Sequence, residues 1–103
     1  EPAAGPAEFN PKVIALAPLT TNLAAPSDIW VRLEAAIVVD GEAPADLPDT
    51  IHQDMLAFIR TVKLHQIEGA SGFRHFKADL QDRAATRSSG LVTQVLIRTL
   101  LFE

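Results

Sequence analysis

The stretch Pro48–Arg83 carries two apolar stripes at helical spacing, one after the other, and no other feature restricts the fold as much. In the first, Ile51, Met55, Phe58, Ile59 and Val62 recur at i, i+4, i+7, i+8 and i+11, which places them on one face of a 3.6-residue helix. In the second, Phe73, Phe76, Leu80 and Ala84 follow i, i+3, i+7 and i+11. The connector is Lys63–Gly72. Neither stripe can be buried by its own helix, so both need a common apolar partner, with Phe58, Phe76 and Leu80 expected among the most buried side chains. Pro48 suits a first helical turn, where its missing donor would be unpaired in any case, and Asp49 falls near the positive end of the helix dipole. Gly69–Gly72 reads as a flexible connector with Ser71 as a candidate cap for the second helix. Asp79 and Arg83 stand at i,i+4 on that helix. Ser88–Ser89–Gly90 closes it, with Gly90 free to take a left-handed conformation.

The partner is a sheet. Ile29–Val39 alternates, with Ile29, Val31, Leu33, Ala35, Ile37 and Val39 in one phase and Trp30, Arg32, Glu34 and Ala36 in the other. That period describes a strand with one buried face. Val13–Ala17 begins an earlier strand, which Pro18 confines to a sheet edge or breaks. Pro26–Ser27–Asp28 reads as a turn. Leu91–Phe102 is the last strand; it is apolar in both phases, which predicts a position inside the sheet or cover on both sides. The order is strand, strand, helix, helix, strand. This predicts an α+β domain, a small three- to four-stranded sheet with the helix pair on one face.

At 103 residues the chain has room for one modest core. Glu1–Pro11, with Pro2, Pro6 and Pro11 among alanines, reads as a linker or tail before a domain spanning 12–103. The chain starts without Met or a signal-peptide pattern, as a trimmed or mature fragment would. A net charge of −4 opposes general nucleic-acid binding. The absence of cysteine rules out disulfides and thiolate metal sites. No apolar run approaches the ~18 residues of a membrane span. Residues 1–54 hold nine acids against two bases, a balance of −7, and residues 55–103 hold four against seven, a balance of +3. Such a split is compatible with solvated faces that happen to differ, or with a polarised surface suited to head-to-tail association.

Nothing in the sequence announces a reaction. His52, His65 and His75 are separated by 13 and 10 residues, with no H-x-x-x-H or H-E-x-x-H spacing for a metal. His75, beside Phe76, is expected to be half buried. Ser71, Ser88 and Ser89 lack the G-x-S-x-G context and read as turn and cap residues. Asp79 and Asp82 read as part of a solvated helical face. Gly69–Gly72 lacks the lysine and preceding strand of a phosphate loop. No catalytic, cofactor or metal residue is expected, and no cofactor. Trp30 falls on the mostly polar face of its strand, either as an interface anchor or as cover under the first strand. Arg60, Lys63, Arg74 and Arg87 are the other candidate interaction residues.

Four stretches, in this order, resemble the FliL family of flagellar basal-body-associated proteins. Thr20–Ala24, followed by Ile29–Val39, resembles the early N-L segment and strand of that family. Pro48–Ile51 through Phe58–Ile59 resembles its first helix. Gly72, Phe76 and Leu80 fall at the spacing of its G-x-x-x-L-x-x-x-[LI] helix, with Phe76 in place of the usual aliphatic. Val95–Phe102 resembles its terminal strand. The resemblance covers Lys12–Glu103; the chain departs by the extra Gly69 and by lacking the membrane helix of the family, which would precede Glu1. It implies a stomatin-like scaffold domain on the periplasmic face of the inner membrane, anchored by that single helix. It further implies association with a MotA/MotB-type stator and the flagellar basal body, ring-like homo-oligomers, support of torque, swimming or swarming, and no catalytic residues. The alternatives are a soluble α+β binding module unrelated to flagella and a small enzyme subunit using His75.

Overall fold

The structure, a computed structural model, describes residues 11–103. Residues 1–10, nearly all of the expected linker, lie outside the described residues. Seven elements follow in order: β1 (Pro11–Ala15), β2 (Leu19–Asn22), β3 (Trp30–Asp40), α1 (Leu47–Ile59), α2 (Leu64–Ile67), α3 (Gly69–Arg87) and β4 (Val92–Phe102). They form the α+β layer that the two periodicities predict: one antiparallel four-stranded sheet with the helices packed on it.

β3 is the centre of the sheet. Its alternating residues Val31, Leu33, Ala35, Ile37 and Val39 are all buried, and they pack against Ile51, Met55 and Ile59 of α1 and Phe76, Leu80 and Ala84 of α3. Pro18 breaks the early strand. β1 pairs with the second half of β3, from Pro11 opposite Asp40 to Ala15 opposite Ala36. β2 pairs with the first half, Leu19 opposite Leu33 and Asn22 opposite Trp30. Two short strands therefore form one side of the long one, with a proline between them that has no N–H for a ladder.

β4 pairs only with β3, so it is an edge strand. This corrects the expectation of a strand inside the sheet or covered on both sides, since Leu101 and Phe102 are also exposed. Its apolar residues occupy both sequence phases because the register shifts twice, between Glu34 and Ala35 and between Val38 and Val39 of β3. Thr99 faces Glu34 and Ile97 faces Ala35, leaving Arg98 as an extra residue; Gln94 faces Val38 and Val92 faces Val39, leaving Thr93 as another. Each bulge reverses the alternation of everything beyond it. The helix-facing set is therefore Val92, Val95, Ile97, Leu100 and Phe102, a set that a strict period of two would divide between both faces.

The connector between the helical stripes is also more ordered than expected. It contains the single turn α2, and Gly69–Gly72 is the first turn of α3, so Ser71 lies inside that helix and does not cap it. A Cβ at Gly72 would stand 2.9 Å from Gln66 O and 3.0 Å from the Ile67 carbonyl carbon. Only glycine lets the α2 backbone pass this close to α3. At the far end, Ser89 takes the left-handed position after the cap at φ 55°, one residue before the glycine expected there, and Gly90 follows at φ +86° with its N–H donated to Ala85 O at 2.8 Å.

Candidate functional site

α1 and α3 run antiparallel, which brings the middle of α1 against the C-terminal half of α3. There Asp54, on the apolar stripe of α1 between Ile51 and Met55, is buried. Arg83 clasps it with two hydrogen bonds, Nε to Oδ2 at 2.8 Å and Nη2 to Oδ1 at 3.1 Å. Arg87 adds Nε to Oδ1 at 2.9 Å. Burial pushes the Asp54 carboxyl up, but the hydrogen bonds and charges of Arg83 and Arg87 outweigh it, so its pKa lies below the ordinary aspartate value. The Arg83 guanidinium also lies 4.8 Å from the Phe58 ring centroid, and Phe58 stacks on Phe76 with centroids 6.1 Å apart. Phe58 is half-buried, not among the most buried as its stripe predicts: one side stacks on Phe76 and the Arg83 guanidinium lies over the ring in place of apolar cover.

Arg83 therefore bonds Asp54 across the helices, where the i,i+4 spacing predicts Asp79. A sequence signal for the cluster exists: Asp54 interrupts one apolar stripe, while Arg83 and Arg87 flank Ala84 in the other, at complementary positions. Two shallow depressions of about 290 Å³ flank the cluster, one lined by Asp54, Asp82, Arg83, Thr86 and Arg87 and the other by Thr50, Gln53, Asp54, Ala57 and Arg87. Both are open to solvent and lined by polar and charged side chains.

The candidate interaction residues separate into three places. Arg60 caps the C-terminal end of α1, Lys63 precedes α2, and Arg74 lies in the second turn of α3; all three are exposed at one end of the helical layer. Arg87 is at the opposite end of α3 and is engaged by Asp54. Trp30 opens β3 on the sheet face away from the helices, opposite Asn22 of β2, and is 51% exposed. His75 is exposed on α3, correcting the half-buried expectation, and lines neither depression. His52 Nε2 lies 3.4 Å from Pro18 O, a contact between α1 and the break in the β1–β2 edge.

The two ends of α1 carry opposite charge. Where β3 finishes and α1 begins stand Asp40, Glu42, Asp46 and Asp49, with Lys12 on Glu42. Where α1 finishes stand Arg60, Lys63 and Arg74, together with Glu68 at the start of α3 and Asp28 and Glu103 beside the start of β3. Along α1 itself, Asp46 and Asp49 at the start are separated from Arg60 and Lys63 at the end by ~20 Å at 1.5 Å per residue. Residues 13–102 match the family model of the flagellar basal body-associated protein FliL. The chain belongs to the FliL family. Membership makes it a flagellar basal-body-associated, membrane-proximal protein of an accessory family concerned with motility. No curated protein matches the chain. Among the described residues of this FliL domain no helix is long and apolar enough to cross a membrane.

Proposed function

We propose that this FliL domain is a non-enzymatic accessory of the flagellar motor that works through protein contacts: tethered on the periplasmic face of the inner membrane, it assembles into ring-like homo-oligomers, associates with a MotA/MotB-type stator and supports torque. The observation that carries the reading is the charge separation along α1, with Asp46 and Asp49 at its start and Arg60 and Lys63 at its end. Opposite charge at the two ends of one element favours head-to-tail contacts, which close into a ring when the rotation permits. Tethering raises effective concentration, so each contact can be weak. Arg60, Lys63 and Arg74 are the basic partners in that contact, with Trp30 exposed at the same end. The test uses the full-length protein purified in detergent and strains carrying Arg60→Glu, Lys63→Glu or Arg74→Glu. Assemblies larger than a monomer by light scattering, together with slower swimming under load in strains whose domain still folds, are expected. A monomeric protein and unchanged swimming speed would overturn the proposal.

A further inference from the structure

The outer edge of β4 is closed along one half and open along the other. The ladder fixes which amides face outward. Trp30 and Glu103 exchange both backbone hydrogen bonds, at 2.7 and 2.8 Å. Arg32 with Leu101 and Glu34 with Thr99 are therefore bonded pairs, and the N–H groups of Leu100 and Phe102 point away from β3. Beyond the Arg98 bulge, Ile97, Val95 and Val92 also face outward. Val92 N–H is taken by Ser88 Oγ at 2.9 Å and Val95 N–H by Gln81 Oε1 at 3.3 Å, both from α3. Among the described residues nothing takes the outward amides of Ile97, Leu100 and Phe102. The opposite edge of the sheet is blunted: β1 and β2 are short, Pro11 and Pro18 supply no amide, and α1 reaches the break through His52. Proteins commonly obstruct their edges to prevent pairing; here one stretch of about six residues is left unobstructed.

Exposed apolar side chains collect at that stretch. Trp30, Leu101 and Phe102 are 51%, 48% and 39% exposed. Leu101 faces Arg32 on the sheet face away from the helices, with Trp30 diagonal to it, while Phe102 lies on the helix face.

We infer that Ile97–Glu103 is a pairing edge for the same segment of a second copy of this chain, running antiparallel. Two features select that occupant. Arg98 and Glu103 lie near opposite ends of the stretch, so antiparallel self-pairing sets Glu103 of one copy opposite Thr99 of the other and one residue from Arg98, whereas parallel in-register pairing would align like charges. The outward amides also select a register. Leu100 of one copy exchanges both hydrogen bonds with Phe102 of the other, twice over by symmetry, and Leu101 meets Leu101 on the two-fold axis as a non-hydrogen-bonded pair. The two Trp30 side chains flank that leucine pair. This contact is isologous, uses backbone and apolar groups, and stands independently of the motor reading and its charge-driven contact.

The chain has no cysteine, so one introduced thiol reports the register. Opposed residues of a non-hydrogen-bonded antiparallel pair have Cα atoms ~4.5 Å apart, within disulfide reach. Leu101→Cys in the full 103-residue chain is expected to give a disulfide-linked dimer under mild oxidation, and Val13→Cys, exposed on the opposite edge, is not. In sedimentation at a concentration on the order of 1 mM, suited to a weak contact, the unmodified chain is expected to exceed its monomer mass in low and high salt alike. Leu101→Lys, at a half-exposed position that tolerates charge, is expected to return it to monomer with an unchanged thermal melt. A Leu101→Cys chain that stays monomeric, with its thiol either reactive or shielded by residues 1–10, overturns the inference. So does association that Leu101→Lys leaves intact or that salt abolishes. Each of these outcomes is independent of swimming speed.

Discussion

Asp54 is the residue whose role the surrounding structure changes most. A carboxylate on the buried face of α1 is tolerated because Arg83 and Arg87 satisfy both its oxygens. Asp54→Ala is expected to cost about 1–3 kcal/mol, the range for a hydrogen-bonded charged group, measured by urea denaturation. The pH dependence has a definite sign. Because the folded pKa lies below the unfolded value of about 3.9, the stabilisation is fully present above that pH and is lost as pH falls through the folded pKa. The stability difference between wild type and Asp54→Asn should therefore be flat from about pH 5 to 8 and shrink below about 3.9. Arg87→Glu would place a like charge on Asp54 and lower stability, so any motility defect in that variant mixes folding with surface effects, unlike Arg60→Glu. Gly72→Ala is expected to cost ~1–3 kcal/mol as an overpacking change, because the atoms a Cβ would meet belong to the α2 backbone. A melting curve unchanged by that substitution would show that α2 can move aside.

At the level of elements, the helical layer is held by the apolar face of α3. Phe76 and Leu80 are almost fully buried against β3 and α1, while Phe73, one turn earlier in the same stripe, is 37% exposed. Phe76→Ala and Leu80→Ala should each cost ~2–5 kcal/mol, and Phe73→Ala far less. Equal losses at all three positions would mean that α3 packs along its whole stripe. β4 combines two bulges with an edge position, and α3 supplies the side chains that close its N-terminal half. Gln81→Ala should leave the Val95 amide without its partner and speed its hydrogen exchange relative to its neighbours, while Leu96, bonded inward to Ala36, stays protected.

On the scale of the whole molecule, the two proposed contacts differ in physical origin. The charge separation along α1 acts through water and is screened over roughly 8 Å at physiological ionic strength. The open half of β4 acts through backbone hydrogen bonds and apolar contact, with little dependence on salt. Light scattering of the chain across a salt series should therefore resolve a component that disappears as salt rises, removed by Lys63→Glu, from one that persists, removed by Leu101→Lys. If both variants removed the same component, a single surface would be responsible for association.

The sequence alone determined the layer architecture, because a period of 3.6 over 48–83 and a period of 2 over 29–39 each admit one kind of buried face. It also marked Pro18 as an edge or a break, the close of the second helix at 88–90 and, through the order of four short motifs, the family. The pairing partners were decided by tertiary structure. The edge position of β4 was not legible because each bulge inverts the alternation from which burial is read, so an edge strand presented the pattern of an interior one. Arg83 chose Asp54 over Asp79 because a carboxylate on a buried face binds a guanidinium more strongly than a solvated one on its own helix. Gly72 read as part of a flexible connector because its true constraint, the backbone of α2 within 3 Å of where a Cβ would sit, exists only once the chain has folded back on itself.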